Sequence, residues 1–269
     1  MKTSNSAIQT FKACRRLYEL KYIHGLEPVQ TAAPLSRGTS YHEGVEHVLK
    51  DWAENDCVPF SGLEIDDPKI RAMVYAFSKT VVPWLSDRGI RIGAVEQWFE
   101  YSTKSGHKII GRVDGITTDH SVIEHKSTSG AIDGSYFQRL EFDEQIPTYM
   151  LACNTDRVYY TVCSAPTIRQ RKGEPETAYF ERCVEWYNDM PESKIAVVEL
   201  YRPQEVLNKF ADDQDAIITE MEGCKLFYRN PSYCTKWGRM CEYASICMDY
   251  DPDKEYIQFK RRESHYEKT

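Results

Sequence analysis

Apolar residues recur along this chain at helical spacing in some stretches and at strand spacing in others. From about Ser40 to Ala53, Tyr41, Val45, Val48, Leu49 and Trp52 form one stripe, which predicts an amphipathic helix. Asp67 to Leu85 repeats the pattern with Ile70, Met73, Val74, Phe77, Val81 and Trp84, and Ser6 to Tyr22 does so with Ile8, Phe11, Leu17 and Leu20. His24 to Arg37, with a glycine, two prolines and small residues, predicts a loop. Between Ala94 and Lys126 the pattern becomes that of three strands, with Lys104-Ser105-Gly106 turning between the first two. A helix from Glu144 to Cys153 follows, then a strand from Arg157 to Cys163 and a basic loop from Ala165 to Pro175. Glu176 to Asn188 predicts a helix, Ile195 to Tyr201 a strand and Gln204 to Leu226 a long helix; beyond Asn230 the chain is rich in cysteine and aromatics without clear periodicity. This order predicts an α/β fold, a mixed central sheet flanked by helices.

Composition narrows the class. The chain has 269 residues, 41% hydrophobic and 28% charged, enough for one large domain or two small ones of a globular protein. No apolar run approaches a membrane span, and the first residues lack the apolar core of a signal peptide, so a cytoplasmic location is expected. Nine cysteines, an odd number, in a reducing compartment are not expected to form a disulfide scaffold. The net charge of −7 argues mildly against nucleic-acid binding, although a carboxylate metal site must itself add negative charge. Two basic clusters stand out as weak DNA contacts: Lys12, Arg15, Arg16 and Lys21 near the start, and Arg169, Arg171 and Lys172 in the predicted loop. The first is the better placed of the two, next to Cys14. No P-loop segment occurs, so a motor would have to be supplied by a partner.

The most informative chemistry lies in the strands. Gly111-Arg112-Val113-Asp114 is followed, across a turn, by Val122-Ile123-Glu124-His125-Lys126. Glu124 and Lys126 are two apart and share a strand face. Asp114 joins them only if the hairpin connection is odd in length or bulged, because a one-residue slip would turn it away. Two carboxylates converging on one point suit a hard cation such as Mg²⁺ or Mn²⁺, and a lysine beside them can hold a phosphate or polarise the attacking water. An exposed hairpin with charges on its solvent face explains the same residues without chemistry.

The surrounding residues add a family likeness. Arg37-Gly38-Thr39-Ser40-Tyr41-His42-Glu43-Gly44 leads into a helix upstream, and Glu144-Gln145-Ile146-Pro147-Thr148-Tyr149 opens one downstream. Cys14 stands near one end and Cys234, Cys241 and Cys247 near the other. From about Ser4 to Cys247 the order resembles the RecB-like branch of the PD-(D/E)XK nuclease superfamily, in particular its iron–sulfur members, which include AddB-type nuclease domains and the RecB-like nuclease of CRISPR adaptation. The resemblance implies a restriction-endonuclease-like fold with one nuclease domain over 1–250, its catalytic core at 37–202, its cluster-binding segments at 1–25 and 224–250, and a tail at 251–269. It implies that His42, Asp114, Glu124 and the carbonyl of His125 hold Mg²⁺ or Mn²⁺, that Lys126 acts on the nucleophile or phosphate, and that Gln145 and Tyr149 orient the site and the DNA backbone. Glu96, on the preceding strand, matches a glutamate common in the family. Cys14, Cys234, Cys241 and Cys247 would ligate a 4Fe–4S cluster, with zinc as the competitor and Cys224 as a reserve ligand. Cys57, Cys153, Cys163 and Cys183 fit buried small hydrophobes.

The implied activity is metal-dependent exonuclease action at DNA ends or single-stranded regions, in recombination, repair or phage DNA processing, with a recombination or helicase partner. CRISPR adaptation is the narrower alternative. A non-catalytic DNA-binding iron–sulfur protein and an iron–sulfur electron carrier are the alternatives of other classes.

Overall fold

The computed structural model describes residues 1–29, 33–55, 65–249 and 259–262. The chain divides into two compact units, one of Met1–Ala32, Ser102–Ile110 and Ala211–Thr269 and one of Ala33–Tyr101 and Gly111–Phe210. The first unit opens with β1 (Lys2–Ser4) and α1 (Asn5–Ala13), capped by Ser4 Oγ, which accepts from Ala7 N at 3.3 Å. The helix predicted over Ser6–Tyr22 is broken at Cys14. That residue is extended (φ −161°, ψ 113°); its N–H closes α1 on Thr10 O, and its carbonyl opens α2 (Arg15–Tyr18) by accepting from Tyr18 N. A π-helical turn follows over Glu19–Ile23, and β2 (Leu26–Pro28) lies in the stretch predicted as loop.

The second unit begins with α3 (Ala33–Asn55), which starts earlier than Ser40 because Pro34 falls in its first turn, where a missing N–H removes no helical bond. α4 (Pro68–Ser86) is capped by Asp67, which accepts from Lys69 N at 2.8 Å. The two helices pack at Gly44, where an added Cβ would stand 2.5 Å from Val74 Cγ2 and 3.0 Å from Ile65 Cδ1. Gly44→Ala gains about 1 kcal/mol of helix propensity and loses about 1–3 kcal/mol to overpacking. A net loss of stability is therefore expected in urea denaturation, and a gain would show that the helices separate freely.

Three strands follow: β3 (Ile92–Ser102), β4 (Lys108–Thr117) and β5 (Val122–Thr128). The predicted turn lies between the first two, with Thr103 N donating to His107 O and Gly106 at φ +81°, where a side chain would be strained. Residues Lys108–Ile110 of β4 belong to the first unit and pair in parallel with β1; the rest of β4 belongs to the second. A short helix missed in the sequence, α5 (Gly134–Arg139), precedes α6 (Gln145–Cys153). β6 (Arg157–Ser164) runs parallel to β5 and is buried along nearly its whole length, as a central strand must be. α7 (Glu176–Asn188) then leads to β7 (Ile195–Tyr201), antiparallel to β6. Alternate residues of β5 and β6 feed opposite cores. Ile123, Tyr159 and Cys163 pack with α3, α4 and α7, while Val122, Tyr160 and Val162 pack with Leu140, Ile146 and Met150. The unit is thus a mixed sheet covered by helices on both faces.

α8 (Gln204–Gly223) passes from the second unit, to which it belongs up to Phe210, into the first. There α9 (Pro231–Cys234), α10 (Ala244–Asp249) and β8 (Phe259–Arg261) follow among the described residues; β8, in the stretch read as a tail, pairs antiparallel with β2. Leu20, Leu26, Tyr243, Ile246 and Phe259 form a small core, and the Tyr243 hydroxyl donates to Leu26 O at 2.8 Å. Among the described residues no helix is long and apolar enough to cross a membrane.

Candidate active site and cysteine cavity

The hairpin meets the parity condition. Gly115 pairs with Ile123 and Ile116 with Val122, and Thr117 N donates to Ser121 O; Asp114 and Glu124 are the next residues beyond the last pair on the two strands. At Asp114 the side chain replaces a main-chain acceptor: its Oδ2 takes the N–H of His125 at 2.8 Å. Its Oδ1 lies 3.5 Å from His42 Nδ1, which α3 delivers from the other side. Glu124 is buried and ion-paired with Lys126. Lys126 Nζ also donates to Gln145 Oε1 at 2.7 Å, and Gln145 Nε2 donates to the Tyr149 hydroxyl at 2.6 Å. Glu124, Lys126, Gln145 and Tyr149 thus form one hydrogen-bonded chain, and the structure links six of the predicted side chains in the sequence His42–Asp114 and Glu124–Lys126–Gln145–Tyr149.

Two local features hold this arrangement. α6 starts at Gln145, so Pro147 falls in its first turn and does no damage. Asp143 accepts from Gln145 N at 2.8 Å and Ile146 N at 3.2 Å and so fixes that start. Asp143 was missed in the sequence; an acidic residue just ahead of an apolar run was its signal. Gly111 was noted only as part of a motif. A Cβ there would meet the Phe99 ring at 2.6 Å, and Phe99 packs edge-on to Tyr149 with centroids 5.6 Å apart. Glu96 sits on β3 in the left-handed region (φ +54°), with its carboxylate 2.5 Å from Arg112 Nε.

The electrostatics separate the two carboxylates. Burial opposes ionisation of Asp114, but the hydrogen bond to His42 and the charges of His125, His42 and Lys126 outweigh it, lowering its pKa to about 2. Burial dominates at Glu124 and, with the charge of Asp114, raises it to about 7 despite Lys126. At Lys126 burial is overcome by the pair with Glu124, and its pKa is raised. His42 is raised too, because the hydrogen bond and charge of Asp114 outweigh burial. His125 is brought down to about 4 by burial, and its ring, 2.7 Å from Thr161 Oγ1 and edge-on to Phe77, is part of the core. Glu124 Oε2 is buried without a hydrogen-bond partner. A buried, unsatisfied carboxylate oxygen beside a second carboxylate fits a hard cation. Among the described residues, no group of three or more His, Cys, Asp or Glu side chains is gathered tightly enough to hold a metal ion as placed.

In the first unit, Cys14, Cys234, Cys241 and Cys247 all line one cavity of about 340 Å³, walled by Leu17, Tyr233 and Tyr243. Burial raises the thiol pKa of Cys241 and Cys247, and Cys14 and Cys234 act on both. Arg229 and Arg16 counter that rise at Cys247. Cys224 is elsewhere, beside Arg15, while Cys163 and Cys183 are buried in the core of the second unit and Cys153 packs at the edge of its other core. Cys57 lies outside the described residues.

The two basic clusters differ. Arg15 is stacked between the Phe11 and Tyr228 rings at 4.9 Å from each centroid and paired with Glu220, and Arg16 is paired with Glu19. Lys21 is largely desolvated, which lowers its pKa. Arg169, Arg171 and Lys172 are exposed and form no salt bridge among the described residues.

Residues 2–248 match the profile of the family described as the PD-(D/E)XK nuclease superfamily. Among solved structures, an alkaline exonuclease from Laribacter hongkongensis is 11% identical over 68% of this chain and 86% of its own, with a TM-score of 0.35. A phage-related exonuclease from Haemophilus somnus 129PT is 15% identical over 82% of this chain and 96% of its own, with a TM-score of 0.38. No curated protein matches the chain.

Proposed function

Because the chain belongs to the PD-(D/E)XK nuclease superfamily, we propose that it is a RecB-like, divalent-metal-dependent DNA exonuclease with a single nuclease domain over 1–250, acting in recombination, repair or phage DNA processing. The observation that carries this reading is the buried, partnerless Glu124 Oε2 beside Asp114, with Lys126 linked to Glu124 and Gln145. Asp114, Glu124, His42 and the carbonyl of His125 would hold Mg²⁺ or Mn²⁺. A bound divalent cation supplies positive charge at the scissile phosphate and acidifies water there. Lys126 presents its ammonium to the phosphate or the nucleophile, and Gln145 fixes its direction. Tyr149, whose hydroxyl is kept protonated by burial and by the charges of Glu124 and Asp114, orients Gln145.

We assign the cysteine cavity to a 4Fe–4S cluster. What supports this reading is that all four thiols, from near the two ends of the sequence, line one cavity, as the resemblance to cluster-bearing nucleases implies; zinc is the competitor. Hydrolysis needs no electron transfer, so the cluster's role is structural.

The test is digestion of end-labelled linear and circular DNA, single- and double-stranded, with Mg²⁺ or Mn²⁺ and after chelation. Linear DNA is expected to be degraded only with metal. The enzyme is also expected to leave intact supercoiled plasmid uncut; rapid linearisation would make it an endonuclease. DNA binding without any metal-dependent cleavage would instead support the inert-site alternative.

A further inference from the structure

We propose that the loop carrying Arg169, Arg171 and Lys172 clamps the phosphate backbone of the DNA bound at the active site, and that Arg182 and Glu174 hold it in shape; this rests on the nuclease reading above. The first argument is position. β5 and β6 are parallel and end together, Thr128 opposite Ser164, and Ala165 N donates to Thr128 O at 2.8 Å. The loop therefore leaves the sheet at the end where β5 finishes, two residues beyond Lys126. Two strand residues span about 7 Å, and the four residues from Ala165 to Arg169 span at most about 14 Å. At about 3.4 Å per nucleotide along one strand, Arg169 stands within roughly six nucleotides of Lys126, and Lys172, three residues further along, within about nine.

The second argument is order. The segment contains no helix or strand, yet its backbone is tied down along its length. Arg182 donates to Glu174 from Nε at 2.7 Å and from a terminal nitrogen at 2.9 Å, and that nitrogen also donates to Arg169 O at 2.9 Å. Glu174 Oε2 accepts from Arg171 N at 2.8 Å, Gln170 donates to Glu174 O at 2.9 Å, and the Tyr179 hydroxyl donates to Ile168 O at 3.0 Å. Glu174 is thereby bonded to Arg182, with the charge of Arg171 also acting on it. What remains outward is a set of cations, exposed and without a salt bridge among the described residues, in a chain of net charge −7. Fixed like charges repel one another, and a row of phosphates relieves that repulsion. In the N-terminal cluster Arg15 and Arg16 already have acidic partners.

The experiment measures binding of a labelled duplex by the full chain across a salt series without divalent metal, together with KM for its cleavage with Mn²⁺. Combined Arg169→Gln, Arg171→Gln and Lys172→Gln is expected to reduce the slope of log affinity against log salt by about 2.7 and to raise KM about tenfold. Combined Arg169→Lys and Arg171→Lys should keep the wild-type slope, which a merely structural role would not predict. Arg182→Gln removes none of the three loop cations but should weaken binding about threefold, because a loop no longer tied through Glu174 and Arg169 O must be ordered on contact. An unaltered melting temperature excludes unfolding. A triple-glutamine variant with wild-type slope and KM overturns the proposal while the nuclease reading stands, and unchanged affinity in Arg182→Gln overturns the part given to that residue. A wild-type protein that neither binds nor cuts DNA overturns both.

Discussion

Asp114→Asn and Glu124→Gln are each expected to lower the rate of metal-dependent DNA cleavage by roughly a thousandfold or more. These neutral isosteres isolate the charge. In Asp114→Asn the amide oxygen can still accept the His125 N–H that Oδ2 accepts now, so the junction of β4 and β5 keeps its bond. At Glu124 activity and stability should move in opposite directions. Its folded-state pKa of about 7 lies above the ordinary carboxylate value. The folded state therefore holds a proton that the unfolded chain has released, and stability falls as pH rises from the ordinary value through about 7. Glu124→Gln removes that loss, so the metal-free variant should melt at or above the wild-type temperature at pH 8 while cutting almost nothing. Lys126→Met should fail similarly in catalysis. His42→Ala should lose metal affinity, and raising Mn²⁺ should recover part of its activity. Full cleavage by the Asp114 or Glu124 variant would refute the assignment of the active site.

The arrangement of the candidate site was legible in the sequence because its parts are set by strand and helix periodicity. Glu124 and Lys126 share a face by the period of two, Gln145 and Tyr149 share one by the period of four, and the parity of one turn decides whether Asp114 joins. The elements that carry them were predicted closely, apart from the earlier start of α3. What could not be read depends on contacts distant in sequence. β1 and β2 are three-residue strands whose partners are β4 and β8, and nothing local marks them. The break at Cys14 interrupts an otherwise good helical pattern, because the extended residue satisfies Thr10 and Tyr18 on its two sides without loss of a backbone bond. The basic clusters were ranked by proximity to Cys14, and sequence gives no sign that Glu220 and the rings of Phe11 and Tyr228 engage Arg15.

The cysteines carry the other large effect. Anaerobically purified protein is expected to be brown, with about four iron atoms per chain. Cys14 and Cys234 are some 220 residues apart, and closing a loop of that length costs entropy that grows as the logarithm of its length. Part of that closure is secured by protein contacts alone: Asn230 Nδ2 donates to Ala13 O at 2.7 Å, and Arg16 N donates to Tyr228 O at 3.1 Å. These bonds flank the cavity on both sides of Cys14; α10 reaches the small core through Ile246, whereas α9 contributes no buried residue. A cluster bound by all four thiolates would fix them, so metal binding and ordering of this unit should be one event. Cys14→Ser, Cys234→Ser, Cys241→Ser and Cys247→Ser should each bleach the protein and open residues 224–249 to proteolysis. Cys57→Ala, Cys153→Ala, Cys163→Ala and Cys183→Ala should keep the colour, whatever they do to stability. Because the active-site residues lie in the other compact unit, the bleached variants should retain their ability to bind Mn²⁺. Stoichiometric zinc without iron, after anaerobic preparation from iron-replete cells, would replace the cluster by a zinc site and leave the nuclease assignment untouched.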